Sequence, residues 1–443
     1  MCYQILALLI LCLSTLRVEA SSKLFEGATI ISFDDDTNSI NVIRNGSLLV
    51  IDDRIAGLCA SSELLNTPPD AETVNVSGQI ITPGFIDTHR HEWSTAWKTI
   101  ISNTTLLEFF VRYRDAAPLL GFTPDDVYLS KLAGLYETVN AGVTTTLDHA
   151  YHNWSPSSGW ADYNASIDSG VRVFWAYSVQ NASATNYTVS NQFVIFQEMA
   201  EYTATLKSSP VQLGIAYDGW APNGNTAEAQ RVADLAKQYN VWVVTTHAVG
   251  DESAELLRSS NQYISITPES EASMALDTLA SLTIWAGQRT RRIQHTIQES
   301  HEREPGFLPV YTRLRPCAEE ARPGNHSRRG KGRLGLWDAE NSPAFMGWND
   351  PVAAVMMHAS IGDILHVTID GEFVKWNGRL TAQNYPRVRR EFAESADRLQ
   401  RVLRDTPLPV LEGQVSPGVY YAVPTYADVQ RGSGTGYGSQ FWR

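Results

Sequence analysis

Between residues 23 and 82 the apolar positions come in short β-prone runs, at 28–33, 40–43 and 47–51, divided by Asp, Asn and Gly. That spacing predicts a small β-sandwich. A second strand-rich block lies far downstream, at 363–374, where Asp370-Gly371 between two alternating runs predicts a hairpin. A sandwich built from both chain ends, bracketing a central domain, is expected. In the central part the pattern changes to continuous apolar strands, at 142–147, 171–177, 211–217 and 241–246. Helical patterns fall between them, at about 124–140, 192–207 and 226–239. Strand-then-helix repeats predict an α/β protein with a parallel sheet, either doubly wound or a (β/α)8 barrel. No Gly-rich phosphate loop is present, and the strand ends carry His, Asp and aromatic residues. This favours the barrel, with its site at the C-terminal mouth.

The rhythm breaks after His247. A further strand is expected at 263–267, and another strand end at 274–278, with almost nothing between them. A parallel crossover needs a dozen or more residues, so the barrel is expected to lack at least one βα unit. Residues 289–333 hold 11 of the 35 Lys and Arg residues without clear periodicity. A solvated insertion, a basic interaction tail and a misspliced or mistranslated stretch are the three readings. From Asn384 a charged helical pattern runs to Arg404 and gives way to a Gly/Ser/Tyr-rich end. The expected organisation is a signal peptide (1–20), the N-terminal half of the sandwich (21–82), the barrel (83–290) and an irregular basic stretch or gene-model artefact (291–335). The C-terminal half of the sandwich (336–383) and a final helix and tail (384–443) follow.

Composition narrows the partners. The 443 residues carry a formal net charge of −13, which argues against nucleic acid or an anionic membrane as a partner. The apolar run at 5–13 is short for a bilayer span, and Val18-Glu19-Ala20 resembles a signal cleavage site, although no Lys or Arg precedes the run. Eight Asn-x-Ser/Thr sequons, at Asn45, Asn75, Asn103, Asn153, Asn164, Asn181, Asn186 and Asn325, also point to a secreted, N-glycosylated chain. Of four cysteines, Cys2 and Cys12 lie in the signal segment, leaving Cys59 and Cys317, too few for a disulfide scaffold.

The chemistry concentrates at Pro83-Gly84-Phe85-Ile86-Asp87-Thr88-His89-Arg90-His91. This reads as a short strand ending in two histidines at i and i+2, whose side chains share a face and can reach one metal ion. Imidazole suits zinc first and iron second, and an open site of that kind activates water. Two unrelated surface histidines are the plainer reading of so short a motif. His247, alone after an apolar strand, reads plainly as a capped core residue, and Asp277 as a helix N-cap or turn residue. Trp93, Trp97, His149, His152, Tyr217 and Trp220 sit near expected strand ends, where they could line a pocket or fill the core.

The segment 82–91 resembles the first barrel strand of the metal-dependent amidohydrolase superfamily. Residues 141–149 resemble its second strand and 243–248 its fifth. Residues 350–352, 367–371 and 374–375 resemble its returning sandwich strands. The branch it is most similar to contains the cytosine, guanine and methylthioadenosine deaminases and the triazine chlorohydrolases. The resemblance implies His89, His91 and His247 as metal ligands, with Asp277 as ligand and proton acceptor. Branches with two metals bridge them through a fourth-strand lysine; 211–218 has none, which implies one divalent ion. The implied reaction is hydrolysis of a carbon–nitrogen bond, other than a peptide bond, in a small cyclic or amide substrate, with a homo-oligomer compatible.

Two family features are missing. No strand offers the sixth-strand histidine that orients the attacking water, His295 and His301 being poor substitutes. The usual fifth-strand His-x-x-Glu reads His247-Ala248-Val249-Gly250. A catalytically impaired relative or a faulty gene model is therefore the rival reading. A carbohydrate-active barrel with paired carboxylates is a third.

Overall fold

The computed structural model of the protein describes residues 22–34, 39–101, 104, 106–114, 116–181, 185–206, 208–220, 224–247, 330–407, 409–416 and 419–420. Asp277, the expected strand at 263–267, His295, His301 and the signal segment lie outside the described residues.

Both chain ends build one nine-stranded, mostly antiparallel sheet, as the two β-prone blocks predict. From the N-terminal block come β1 (Ser22–Asp34), β2 (Ser39–Ile51), β3 (Arg54–Cys59), β4 (Glu72–Asn75) and β5 (Gln79–Pro83). The runs at 40–43 and 47–51 are one strand rather than two. Asn45 adopts φ +51° between them, and the register with β1 shifts where Ala28 meets Gly46. The Asn-Gly pair is thus a bulge, which keeps the strand going.

The central domain contributes five parallel strands: β6 (Phe85–Arg90), β7 (Val143–Ala150), β8 (Arg172–Val179), β9 (Val211–Tyr217) and β10 (Val244–Thr245), adjacent in chain order. Helices connect them: α1 (Pro124–Asn140), α2 (Pro156–Asp168), α3 (Val189–Thr205) and α4 (Thr226–Gln238). This is a curled half-barrel in the described residues. Thr123 caps α1 through a reciprocal box with Asp126, and Pro124 opens its first turn. Helix α2 is built largely from Ser, Gly, Asn and Asp, weak helix formers, so the sequence does not reveal it; Ser155 caps it and Pro156 starts it.

The chain rejoins the large sheet through β11 (Leu334–Asp338), β12 (Ile364–Ile369), β13 (Glu372–Trp376) and β14 (Arg379–Leu380). β11 pairs antiparallel with β5, placing the second block directly beside the first. The end of the basic stretch belongs to this sheet. Gly330 accepts from the Ile55 amide at 2.9 Å, and Arg333 pairs with Asp370 at 2.8 Å. The C-terminal helix α5 (Tyr385–Asp405) packs Ala396, Leu399 and Leu403 into an aromatic core around Trp93, Trp97, Phe122 and Trp154. Among the described residues no helix is long and apolar enough to cross a membrane.

Candidate metal centre

Strand alternation decides what enters the half-barrel. Leu147, Phe174, Ala176, Ala216 and Val243 form its inner cluster, while Trp175, Tyr177 and Tyr217 pack outward against the helices. By the same parity His149 and His247 face inward at the strand ends. His89 and His91 arrive from β6, and the rings of all four histidines lie 4.1–5.9 Å apart.

Three of these rings aim one nitrogen at a common point. His89 Nε2 lies 3.2 Å from His91 Nε2 and 3.2 Å from His247 Nε2, and the third edge, His247 to His91, is 3.4 Å. The opposite nitrogens fix the tautomers. His91 Nδ1 donates to the His149 carbonyl at 2.7 Å, and His247 Nδ1 donates to Asp218 Oδ2 at 3.0 Å. Each therefore presents an Nε2 lone pair to the shared point. Burial, helped by the neighbouring imidazoles, pushes His89 down to about 4 and His91 well below its ordinary value, so neither ring is protonated near neutrality. Converging lone pairs repel unless a cation sits between them. Nitrogens at about 2.0–2.1 Å from a tetrahedral zinc stand roughly 3.3–3.4 Å apart, the spacing found here. The residues fit a divalent metal.

Asp218 is the functional residue that sequence reasoning passed over. Its Oδ1 accepts from the His247 amide at 2.8 Å and from Thr246 Oγ1 at 3.3 Å, so it holds both backbone and ring of His247. Burial alone would raise its carboxyl; the bond from His247 and the adjacent His149 and His247 rings bring it far below the usual range. The signal was its position, one residue beyond the end of an apolar parallel strand. His149 is wholly buried, and neither ring nitrogen has a hydrogen-bond partner among the described residues; Nε2 stands 3.7 Å from Asp218 Oδ2. Burial, then His247, pushes it down to about 3, so it acts as a neutral imidazole.

Of the expected pocket residues, only His149 reaches this point. Trp93 and Trp97 are wholly buried in the aromatic core and back the site through Tyr151, whose ring lies 5.5 Å from Trp93 and 4.5 Å from His91. Tyr217 faces the helices because it is one residue out of phase with Ala216 and Asp218. His152 turns away to Asp162, 3.2 Å distant, and Trp220 is exposed against Tyr217.

Residues 80–288 match the amidohydrolase family model. The chain carries an amidohydrolase-family domain. The chain is 27% identical over 159 residues to a 5-methylthioadenosine/S-adenosylhomocysteine deaminase of Caldicellulosiruptor saccharolyticus, covering 35% of this chain and 34% of the relative. A deaminase of the same name from Thermococcus kodakarensis is 22% identical over 229 residues, covering 51% and 49%. The chain thus spans about a third to a half of the length of these curated relatives. Among solved structures, an adenosine deaminase from Xanthomonas campestris with bound zinc superimposes with TM-score 0.61 at 13% identity, over 86% of this chain and 99% of that one. The zinc complex of an atrazine chlorohydrolase from Arthrobacter aurescens gives 0.58 at 16%, over 84% and 99%. Those superpositions establish a shared fold.

Proposed function

We propose that the protein is a metal-dependent hydrolase that cleaves a carbon–nitrogen bond, other than a peptide bond, in a small ring or amide substrate, releasing ammonia or an amine. The observation that carries this is the convergence of three Nε2 atoms on one point, with the His91 and His247 tautomers fixed from behind. The deaminase names of the relatives support the bond type. A divalent ion held by His89, His91 and His247, zinc before iron, would supply Lewis-acid activation of water at neutral pH. Asp218 keeps the His247 ring oriented, and the His149 carbonyl does the same for His91. The neutral His149 ring, whose nitrogens meet no hydrogen-bond partner among the described residues, would bind a polar group of the substrate. Asp277 is proposed as the remaining ligand and the proton acceptor. An impaired relative that binds metal without turnover is the second reading, favoured by Gly250 where a proton-shuttling Glu is usual.

Metal content of the full secreted chain tests the proposal, with His89→Ala as control. About one zinc per chain, lost in the variant, together with ammonia release from an aminated heterocycle, is expected. Zinc bound without release from any of a broad heterocycle panel supports the impaired reading. A folded chain that takes up no metal overturns both.

Export to the secretory pathway is included in the same proposal. Cys59 is disulfide-bonded, which suits an oxidising compartment.

A further inference from the structure

Behind the imidazoles, on the helix side of β6 and β7, lies a buried ionic cluster that the chemistry above does not use. Lys131, Asp148, Asp162 and His152 are wholly buried and Glu92 is 1% exposed. From α1, Lys131 Nζ stands 3.2 Å from Glu92 Oε2 and 3.7 Å from Asp162 Oδ2, and hydrogen-bonds Asp148. His152 and the Trp175 indole secure Asp162, and Arg90 Nε lies 3.4 Å from the second oxygen of Glu92. Burial works against the Lys131 charge, and the three carboxylates reverse the effect.

Such a cluster is weak evidence for stability, since a well-packed neutral replacement is often as stable. Its attachment points suggest another role. Glu92 directly follows His91. Asp148 directly precedes His149, whose carbonyl fixes the His91 ring. The pairing of β6 with β7 is irregular at this point: Asp87 opposes Thr146, but the next partner of Asp148 is Arg90. Three steps on one strand face two on the other, so the ladder alone does not set where β6 ends. Gly134, one turn beyond Lys131, lets α1 approach; a Cβ there would meet Thr95 Oγ1 at 2.7 Å and Glu92 Cγ at 3.0 Å.

We propose that Lys131 is a positioning residue for the histidine centre, joining the residue after His91 to the residue before His149 and so fixing the irregular end of β6 against β7. The inference rests on the reading of the three histidines as a metal site. A full-length triple variant, Lys131→Met with Glu92→Gln and Asp148→Asn, removes the tie, while Asp162 keeps His152 and the Trp175 indole and Arg90 keeps Asp87. Zinc affinity by chelator competition and thermal melting of the metal-free chain are read together. The expected result is a melting temperature close to that of the parent with zinc bound 10–100-fold more weakly, the usual cost of losing a supporting contact. Affinity within about threefold of the parent overturns the proposal. Should the triple variant fail to fold, Glu92→Gln alone decides: it keeps shape but weakens one tether, and unchanged affinity again overturns the role. A parent chain that binds no zinc is a separate outcome, which defeats the metal reading and this inference with it.

Discussion

At the scale of single residues, the centre depends as much on what holds each imidazole as on the imidazoles themselves. Asp218 is half-exposed, so replacing it by Asn costs the fold little. It does remove the charge that accepts from His247 Nδ1 and favours the Nε2 lone pair. Asp218→Asn is expected to weaken zinc binding 10–100-fold while the metal-free chain melts within a few degrees of the parent. Equal affinities in a chelator titration would reduce Asp218 to a surface carboxylate. His89 and His91 were legible because i, i+2 on a strand is a geometric statement. Asp218 was not, because one carboxylate after a strand says nothing until the partner strand shows which ring it meets. Trp93, Trp97 and Tyr217 show the converse. Nearness to a strand end does not reveal parity, and a one-residue phase difference sends a side chain to the helices.

Elements were readable where the residues themselves favour the element. α1 and α4 match their expected spans within a residue, whereas α2, rich in small and polar residues, had only its Ser-Pro start to announce it. Side-chain contacts between elements were not readable, and Lys375 is an example. It sits on β13, is 2% exposed, and donates to the carbonyl of Asn140 at the end of α1 at 2.8 Å. Among the described residues it has no carboxylate partner. Burial therefore lowers it to about 8 from an ordinary 10.5. Between those values the unfolded chain holds a proton that the folded chain has lost, so this group makes stability rise with pH across that window. The contribution is on the order of 1–3 kcal/mol. Denaturant melts between pH 8 and 10.5 should show the rise in the parent and a flatter profile in Lys375→Met. Identical slopes would show that the lysine is solvated in the folded chain.

At the scale of the whole molecule, the two-block sheet and the parallel half-barrel were both legible, because each has its own hydrophobic period and the two periods alternate in chain order. What the periods could not show is which surface positions the assembled fold leaves open, and the sequons make that difference measurable. Asn45, Asn75, Asn164, Asn181 and Asn186 are exposed. Asn153 belongs to an equally good sequon by sequence, yet it is wholly buried and donates Nδ2 to the Ser178 carbonyl at 2.5 Å. A glycan needs that same nitrogen and a path to solvent, so a chain glycosylated at Asn153 could not complete the contact between the β7 end and β8. If the protein travels the secretory pathway, peptide mapping after enzymatic deglycosylation in oxygen-18 water should label some of the five exposed asparagines and leave Asn153 unlabelled. Label at Asn153 in folded, secreted protein would contradict the packing of that strand end. A complete absence of label at the five exposed sites would instead count against export, while leaving the histidine centre and its chemistry untouched.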